Sequence, residues 1–356
     1  MMGAKVTGLA LPPPTVPALF NQLGLEGRCD HRIGDIRNRA LVSRIVLEVE
    51  PDLVFHLAAQ PLVRRSYEQP IETYETNVIG TANVLESLRF THWPCATVMV
   101  TTDKVYENRE CLHAYRENDP LGGYDPYSSS KACAELVIQS YRQSYFSPAD
   151  IQKALGQKTK KVTTVPLVAV ASARAGNVIG GGDWAEHRIV PDCVRALAQG
   201  ETITVRNPMA TRPWQHVLEP LSGYLLLGMR LFEALGSHSA SYPSTICAPS
   251  SALSTLCSAF NFGPDSSSNR PVRDLVEEVL RNWPGRWKDC FDPSAPHEAV
   301  LLNLSTDRAA QELGWRPRWD FAQTIAATVS WYRAVHERGK EIAACLVHDQ
   351  IQSYVV

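Results

Sequence analysis

Three stretches of this chain are apolar at nearly every position and too short to be helices: DLVFHLAA at 52–59, ATVMVTT at 96–102 and a segment near 165–172. A strand without a polar face has to be covered on both sides. Between these stretches the apolar spacing turns helical. IRNRALVSRIVLEVEP (36–51) reads as a helix with Asp35 as its expected N-cap and Pro51 as its stop. Residues 71–90 and 124–146 read as two longer helices, the second ending near Pro148. This alternation predicts an α/β fold, a doubly wound parallel sheet with helices on both faces. AKVTGLAL (4–11) is expected as a further strand, stopped by Pro12-Pro13-Pro14.

The second half is more mixed, with helices expected near 188–199, 218–235, 271–282 and 320–337. No long linker or internal repeat interrupts the 356 residues. The expected division is therefore 1–175 for the doubly wound part and 176–356 for a smaller mixed α/β region interleaved with it. Two polar stretches, 147–166 and 236–255, read as surface excursions. The net charge of −2 argues against a nucleic-acid partner. The nine cysteines form no CxxC pair, so no disulfide framework and no metal site are expected, and reduced thiols in a cytoplasmic setting are the simplest reading. No apolar run reaches the roughly 18 residues of a membrane span, and the N-terminus lacks the pattern of a secretion signal.

Five short motifs fall at or after expected strand ends, where open α/β sheets bind ligands. Tyr127 and Lys131 lie four apart on an expected helix and so share a face. An ammonium beside a phenol favours the phenolate, which can take a proton from a sugar hydroxyl as hydride leaves the same carbon; the same pair also reads as an ordinary surface contact. Thr102, Asp103 and Lys104 offer a hydroxyl, a carboxyl acid and an amine base side by side, or simply a capped turn. HLAAQP (56–61) places small Ala58 and Ala59 where a ligand approaches backbone, or where a core packs tightly. RAGNVIGGGDW (174–184) is either a phosphate-approaching glycine loop or a flexible one. TRPWQH (211–216) sets the Arg212 fork beside an aromatic ring.

Taken together, and with GDIR, VFHLAAQPLVRRSY, ETYETNVIGTANVLE, TTDKVYEN, GGYDPYSSSKACAEL, NPMATRPWQHVLEPLSGYLLL, FNFGP, PHEA and LGWRPRW, the sequence resembles the extended short-chain dehydrogenase/reductase superfamily. Within it, the chain is similar to the CDP-glucose 4,6-dehydratase branch over nearly its whole length, GNVIGGGDW and RPWQHVLEPLSGYLLL being the most specific segments. The resemblance implies a Rossmann-like fold, NAD as cofactor and CDP-glucose as substrate. Lys104, where dTDP-glucose dehydratases carry Glu, points to the CDP-glucose branch. By resemblance, Tyr127, assisted by Lys131 and Thr102, removes the C4 hydroxyl proton; Lys104 removes the C5 proton; Asp103 protonates the departing C6 hydroxyl. NAD contacts are implied for Asp35, Ile36, Leu57, Ala58, Ala59, Asn77, Tyr127 and Lys131. Sugar-nucleotide contacts are implied for Asn177, Arg212 and His297, with Trp184, Trp214 and His216 as neighbours. Helices 71–90 and 124–146 would form a homodimer interface. Alternatives are another nucleotide-sugar dehydratase or epimerase, or a non-catalytic binding or dimerising protein.

One segment departs from that pattern. AKVTGLALPPPTVPALF matches the second strand of the family and the segment after it, with no counterpart of the first strand, its GxxGxxG loop or the first helix. That loop cradles a pyrophosphate at a helix N-terminus. The expectation is a sheet with two open strand edges facing a gap of roughly 10 Å, two strand spacings of about 4.8 Å. Of the explanations, a fuller chain longer by roughly 25–30 residues, one strand–loop–helix unit, is favoured. A short form that holds NAD poorly, or another strand filling the gap, are the other two.

Overall fold

A computed structural model describes residues 3–111, 113–156, 165–236, 252–291 and 301–355. Its centre is a four-stranded parallel sheet formed by β3 (Leu53–His56), β4 (Cys95–Val100), β5 (Val168–Ala175) and β6 (Ala259–Phe262), in the order β6-β5-β4-β3. The register runs Leu53↔Ala96, Cys95↔Val168 and Ala259↔Ser172. The apolar runs are thus strands, as their composition demands. All eight residues of β5 are buried. β6 comes from the second half of the chain and pairs in parallel with β5.

Two further strands, β1 (Thr7–Ala10) and β2 (Asp30–Ile33), pair in parallel with each other, Thr7↔Asp30 to Ala10↔Ile33. Among the described residues no strand joins β1 to β3. The two open edges expected from the sequence are present among the described residues, and Val6, Leu53 and Leu57 beside them are exposed. The ribbon is attached instead through side chains. Helix α1 (Arg39–Val49) follows β2 and packs on the rod of residues 70–88, α2, made of Pro70–Tyr74, a π-helical turn Glu75–Ile79, and Gly80–Leu88. Asn83 Nδ2 donates to the carbonyls of Ile36 (3.0 Å) and Arg37 (3.1 Å), pinning the β2–α1 turn to α2.

Asp35 is not the cap of α1. Asn38 is, its side chain accepting from Leu41 N at 3.1 Å. Asp35 accepts instead from the Arg37 backbone N–H at 2.8 Å and from its guanidinium, at 2.9 and 2.7 Å, so the helix starts three residues later than its periodicity suggests.

Helix α3 (Pro126–Ser144) crosses the sheet with Asp125 as N-cap and Pro126 at its first position, where a missing N–H costs nothing. Helix α4 (Leu218–Ala234) covers the opposite face. Part of 147–166, read as a surface excursion, is a helix, Pro148–Gly156, anchored by fully buried Ile151. Most of 236–255 lies outside the described residues. The eight described cysteines are all free. No described helix is long and apolar enough to cross a membrane, and no described cluster could hold a metal ion.

Candidate active site

The carboxyl ends of β4 and β5 open into a cavity of about 1510 Å³, walled on the far side by residues 177–214. Thr101, Thr102, Lys104 and Tyr127 line it, together with Asn177, Arg212 and Trp214. Immediately after β4 the chain turns through a short 3₁₀ segment, Asp103–Val105, capped by Thr102. That turn presents Lys104 to the cavity and drives Asp103 inward.

Asp103 is fully buried. Its Oδ1 accepts from Thr102 Oγ1 at 2.8 Å and from Lys104 Nζ at 3.4 Å, while Oδ2 has no partner. A Cβ on Gly176 would collide with Oδ2, so the absence of a side chain there is what admits the carboxyl group. Lys104 keeps a quarter of its side chain exposed toward the cavity.

Tyr127 and Lys131 lie on the face of α3 turned to β4. Burial pushes the Tyr127 phenol up to about 12; the Thr102 hydroxyl beside it works the other way, and Asp103 adds to the rise. Burial pushes Lys131 down to about 8, opposed by the carboxylate of Glu135. Lys131 Nζ donates to the Val100 carbonyl at 3.3 Å. The hydroxyl and the amine are therefore held against one strand end. Below them Asn77 is buried in α2, accepting from Gln60 N (2.8 Å) and donating to Gln60 O (3.1 Å) and Ser130 Oγ (2.9 Å). It ties the loop after β3 to α3. Ala58 and Ala59 sit in that loop, partly open, and Leu57 is exposed.

Sequence reasoning placed three other residues near the ligand. Trp214 lines the cavity, its indole donating to Arg270 O at 2.9 Å. His216 does not line it. The ring is buried against Trp319, Nδ1 accepts from Leu218 N at 3.3 Å, and burial lowers the ring's pKa to about 4. Trp184 also points away from the cavity, packing edge-on to Tyr332 and donating to Gln22 Oε1 at 3.2 Å. His297 lies outside the described residues. Asp35 and Ile36 stand apart from the cavity, at the end of β2; Ile36 is buried against α2. Sequence reading passed over Arg188 and Arg206, which line the cavity wall beside Arg212 and supply forks suited to a diphosphate. It also passed over Glu135, although the residue lies one helical turn beyond Lys131.

For a dinucleotide the fit is strongest at the reacting end. There Tyr127 lines the cavity, Lys131 is held against the end of β4, and Asn77 ties the loop that carries the small Ala58 and Ala59 to α3. No glycine-rich turn joins a strand to a helix at β1 or β3 among the described residues.

The model of the GDP-mannose 4,6 dehydratase family matches residues 19–227. The chain is 42% identical over 345 residues to the CDP-glucose 4,6-dehydratase of Salmonella typhimurium, covering 97% of this chain and 88% of the relative. It is 30% identical to the dTDP-glucose 4,6-dehydratase of Streptomyces antibioticus, covering 84% and 75%. Among solved structures, dTDP-glucose 4,6-dehydratase from Bacillus anthracis in complex with NAD superposes with a TM-score of 0.69 at 20% identity, over 94% of this chain and 90% of that one. That likeness is one of fold.

Proposed function

Because the chain belongs to the GDP-mannose 4,6 dehydratase family, we propose that it is an NAD-dependent CDP-glucose 4,6-dehydratase that converts CDP-glucose to CDP-4-dehydro-6-deoxyglucose and water. The single observation that carries this reading is the convergence of a base, an acid and a proton-abstracting phenol on one strand end: Lys104, Asp103 and Tyr127 around Thr102. The long identity to a CDP-glucose 4,6-dehydratase supports the choice of nucleotide.

NAD, when bound, would supply the acceptor for the C4 hydride and its donor to C6. Tyr127, Lys131, Asn77, Ala58 and Ala59 would hold its reacting end, and Asp35, Ile36 and Leu57 the remainder. The protein's own residues move the protons. Tyr127 accepts the C4 hydroxyl proton, assisted by the Thr102 hydroxyl beside it and by Lys131 one turn along the same helix face. A C4 ketone acidifies the C5 hydrogen, which Lys104 removes. Asp103, buried in the same turn, protonates the C6 hydroxyl as it departs. Arg212 and Asn177 hold the diphosphate and sugar, with Trp214 against them. Helices 70–88 and 126–144 are the surface for a homodimer, their exposed Ile71, Ile79 and Leu136 being unsatisfied in a monomer. The free thiols suit a cytoplasmic enzyme.

The test is a panel of sugar nucleotides incubated with the purified protein and NAD. Formation of a 4-keto-6-deoxy product from CDP-glucose well ahead of dTDP-glucose and GDP-mannose is the expected result. A C4 epimer as product, or an equal rate on all three, would overturn the assignment.

A further inference from the structure

Helix α3 meets the end of β4 at three positions spaced by one turn. Tyr127 stands beside Thr102. Lys131 Nζ donates to Val100 O at 3.3 Å. Glu135 Oε1 accepts from Thr101 Oγ1 at 2.5 Å. Residues i, i+4 and i+8 of a helix share a face, so the third contact continues the row that begins with the reacting phenol.

Glu135 is also more tightly held than a helix-surface carboxylate needs to be. Arg174 of β5 grips it with two parallel bonds, Nε to Oε1 and Nη2 to Oε2, each 3.0 Å. Ser172 Oγ donates to Oε2 at 2.9 Å. The side chains of Glu135 and Arg174 are 3% and 4% exposed. A buried ion pair contributes little net stability compared with apolar residues of the same volume, so packing alone does not account for it. Its position does.

We propose that Glu135 is a positioning residue for the tyrosine–lysine pair: its carboxylate, fixed by Arg174 and Ser172, anchors Thr101 between the Val100 carbonyl that holds Lys131 and the Thr102 hydroxyl beside Tyr127, and places its charge one helical turn from the Lys131 ammonium. The inference rests on the roles given above to Tyr127 and Lys131. The charged and titratable groups around Lys131 agree with it. From α3 come Tyr127 and Glu135; from β3 comes His56, held neutral by burial, which pushes it down to about 3. Beyond Glu135 stand Arg174 of β5 and Arg142 of α3. On the far side of Arg174, its Nη1 donates to Tyr106 Oη (2.8 Å) and to the Glu117 carbonyl (2.9 Å). Asp103 and Arg188 act on Tyr127 from the cavity side. Of these, the Glu135 carboxylate is the charge that supports the Lys131 ammonium against its burial. Arg174 in turn holds Glu135 ionised, with Thr101 and Ser172 donating to it.

The test is a pH titration of Lys131 by NMR in the full chain carrying lysine labelled with ¹³C at Cε, its signal assigned by loss in Lys131→Arg. The principal variant is Glu135→Gln with Arg174→Met, which removes both charges and leaves none buried alone. Its Lys131 midpoint is expected to fall by about one pH unit, and that of Glu135→Gln alone to fall further, because Arg174 is then uncompensated. Ser172→Ala, which keeps the charge, is expected to leave the midpoint near its original value. An unchanged midpoint in the folded double variant overturns the proposal, whether or not the single variant folds. The titration needs no substrate. A shifted midpoint in a protein that does not dehydrate CDP-glucose would sink the dehydratase reading and leave the positioning role standing. If CDP-glucose is turned over, the basic limb of kcat/KM is expected to move with the Lys131 midpoint.

Discussion

β5 is buried at all eight of its residues and β4 at five of six, whereas β1 is buried at none and β3 only at His56. The first two strands are hydrogen-bonded along both edges; the last two each have one open edge. The groups proposed to move protons are all attached to the closed part of the sheet. Thr102, Asp103 and Lys104 follow β4, Tyr127 and Lys131 lean on its end, and Arg174 lies in β5. The groups assigned to the far end of the dinucleotide, Asp35 and Ile36, follow the ribbon, which is held by side-chain contacts through α1 and Asn83. The side chains proposed to act on the sugar therefore stand on the most constrained part of the frame, and those proposed for the far end of the dinucleotide on the least constrained.

That comparison can be broken in graded steps. Tyr127→Phe removes the phenol and is expected to lower turnover by ~10²–10⁴-fold, the usual worth of a positioned acid–base group. CDP-glucose binding, read by calorimetry, should survive. A loss of binding with turnover per bound substrate unchanged would contradict the role. Gly176→Ala is next: the added methyl displaces the Asp103 carboxyl, and kcat should fall by ~10-fold or more, since small misplacements near reacting atoms are costly, while KM changes little.

Stability should follow the same divide. Met99→Ala, in the closed sheet and fully buried, is expected to cost about 2–5 kcal/mol. Leu57→Ser beside the open edge, 51% exposed, should stay within about 0.5 kcal/mol. Equal effects in chemical denaturation would erase the contrast. The last contrast is in pH dependence. His56 is held far below its ordinary value of 6.5, at about 3, by burial and then by the nearby Lys131 charge, with Nε2 against Thr81 Oγ1 at 3.0 Å. The unfolded chain therefore binds the extra proton first. His56 contributes stability that is fully present above about pH 6.5 and is lost as pH falls toward 3. His56→Gln should flatten the slope of Tm against pH in that window; an unchanged slope would remove His56 as its source.

The closed part of the sheet was legible in the sequence because burial on both faces leaves runs such as ATVMV with almost no polar residue to confuse the period. β2 was not: DHRI is polar at three of its four positions, and only its pairing with β1 makes it a strand. Asp35 reads as a helix cap because Asp, Asn and Ser are nearly equivalent there; in the fold the Arg37 guanidinium claims its carboxylate. Thr102, Lys104 and Tyr127 were legible as short motifs at strand ends. His216 and Trp184 looked similar in kind, yet both side chains face the core, a choice that residue type and spacing do not reveal. Glu135 was missed for the converse reason. A Glu in a helix reads as a solvated residue until the Arg that buries it, 39 residues away, is seen beside it.

Whether Tyr127, Lys104 and Asp103 act in turn on one sugar is decided by running the reaction with CDP-glucose and NAD in deuterium oxide. The product is predicted to have lost one water relative to the substrate and to carry deuterium at C5, with Lys104→Ala losing that exchange. Recovery of an epimer with the C6 hydroxyl intact, or normal C5 exchange in Lys104→Ala, would contradict the account.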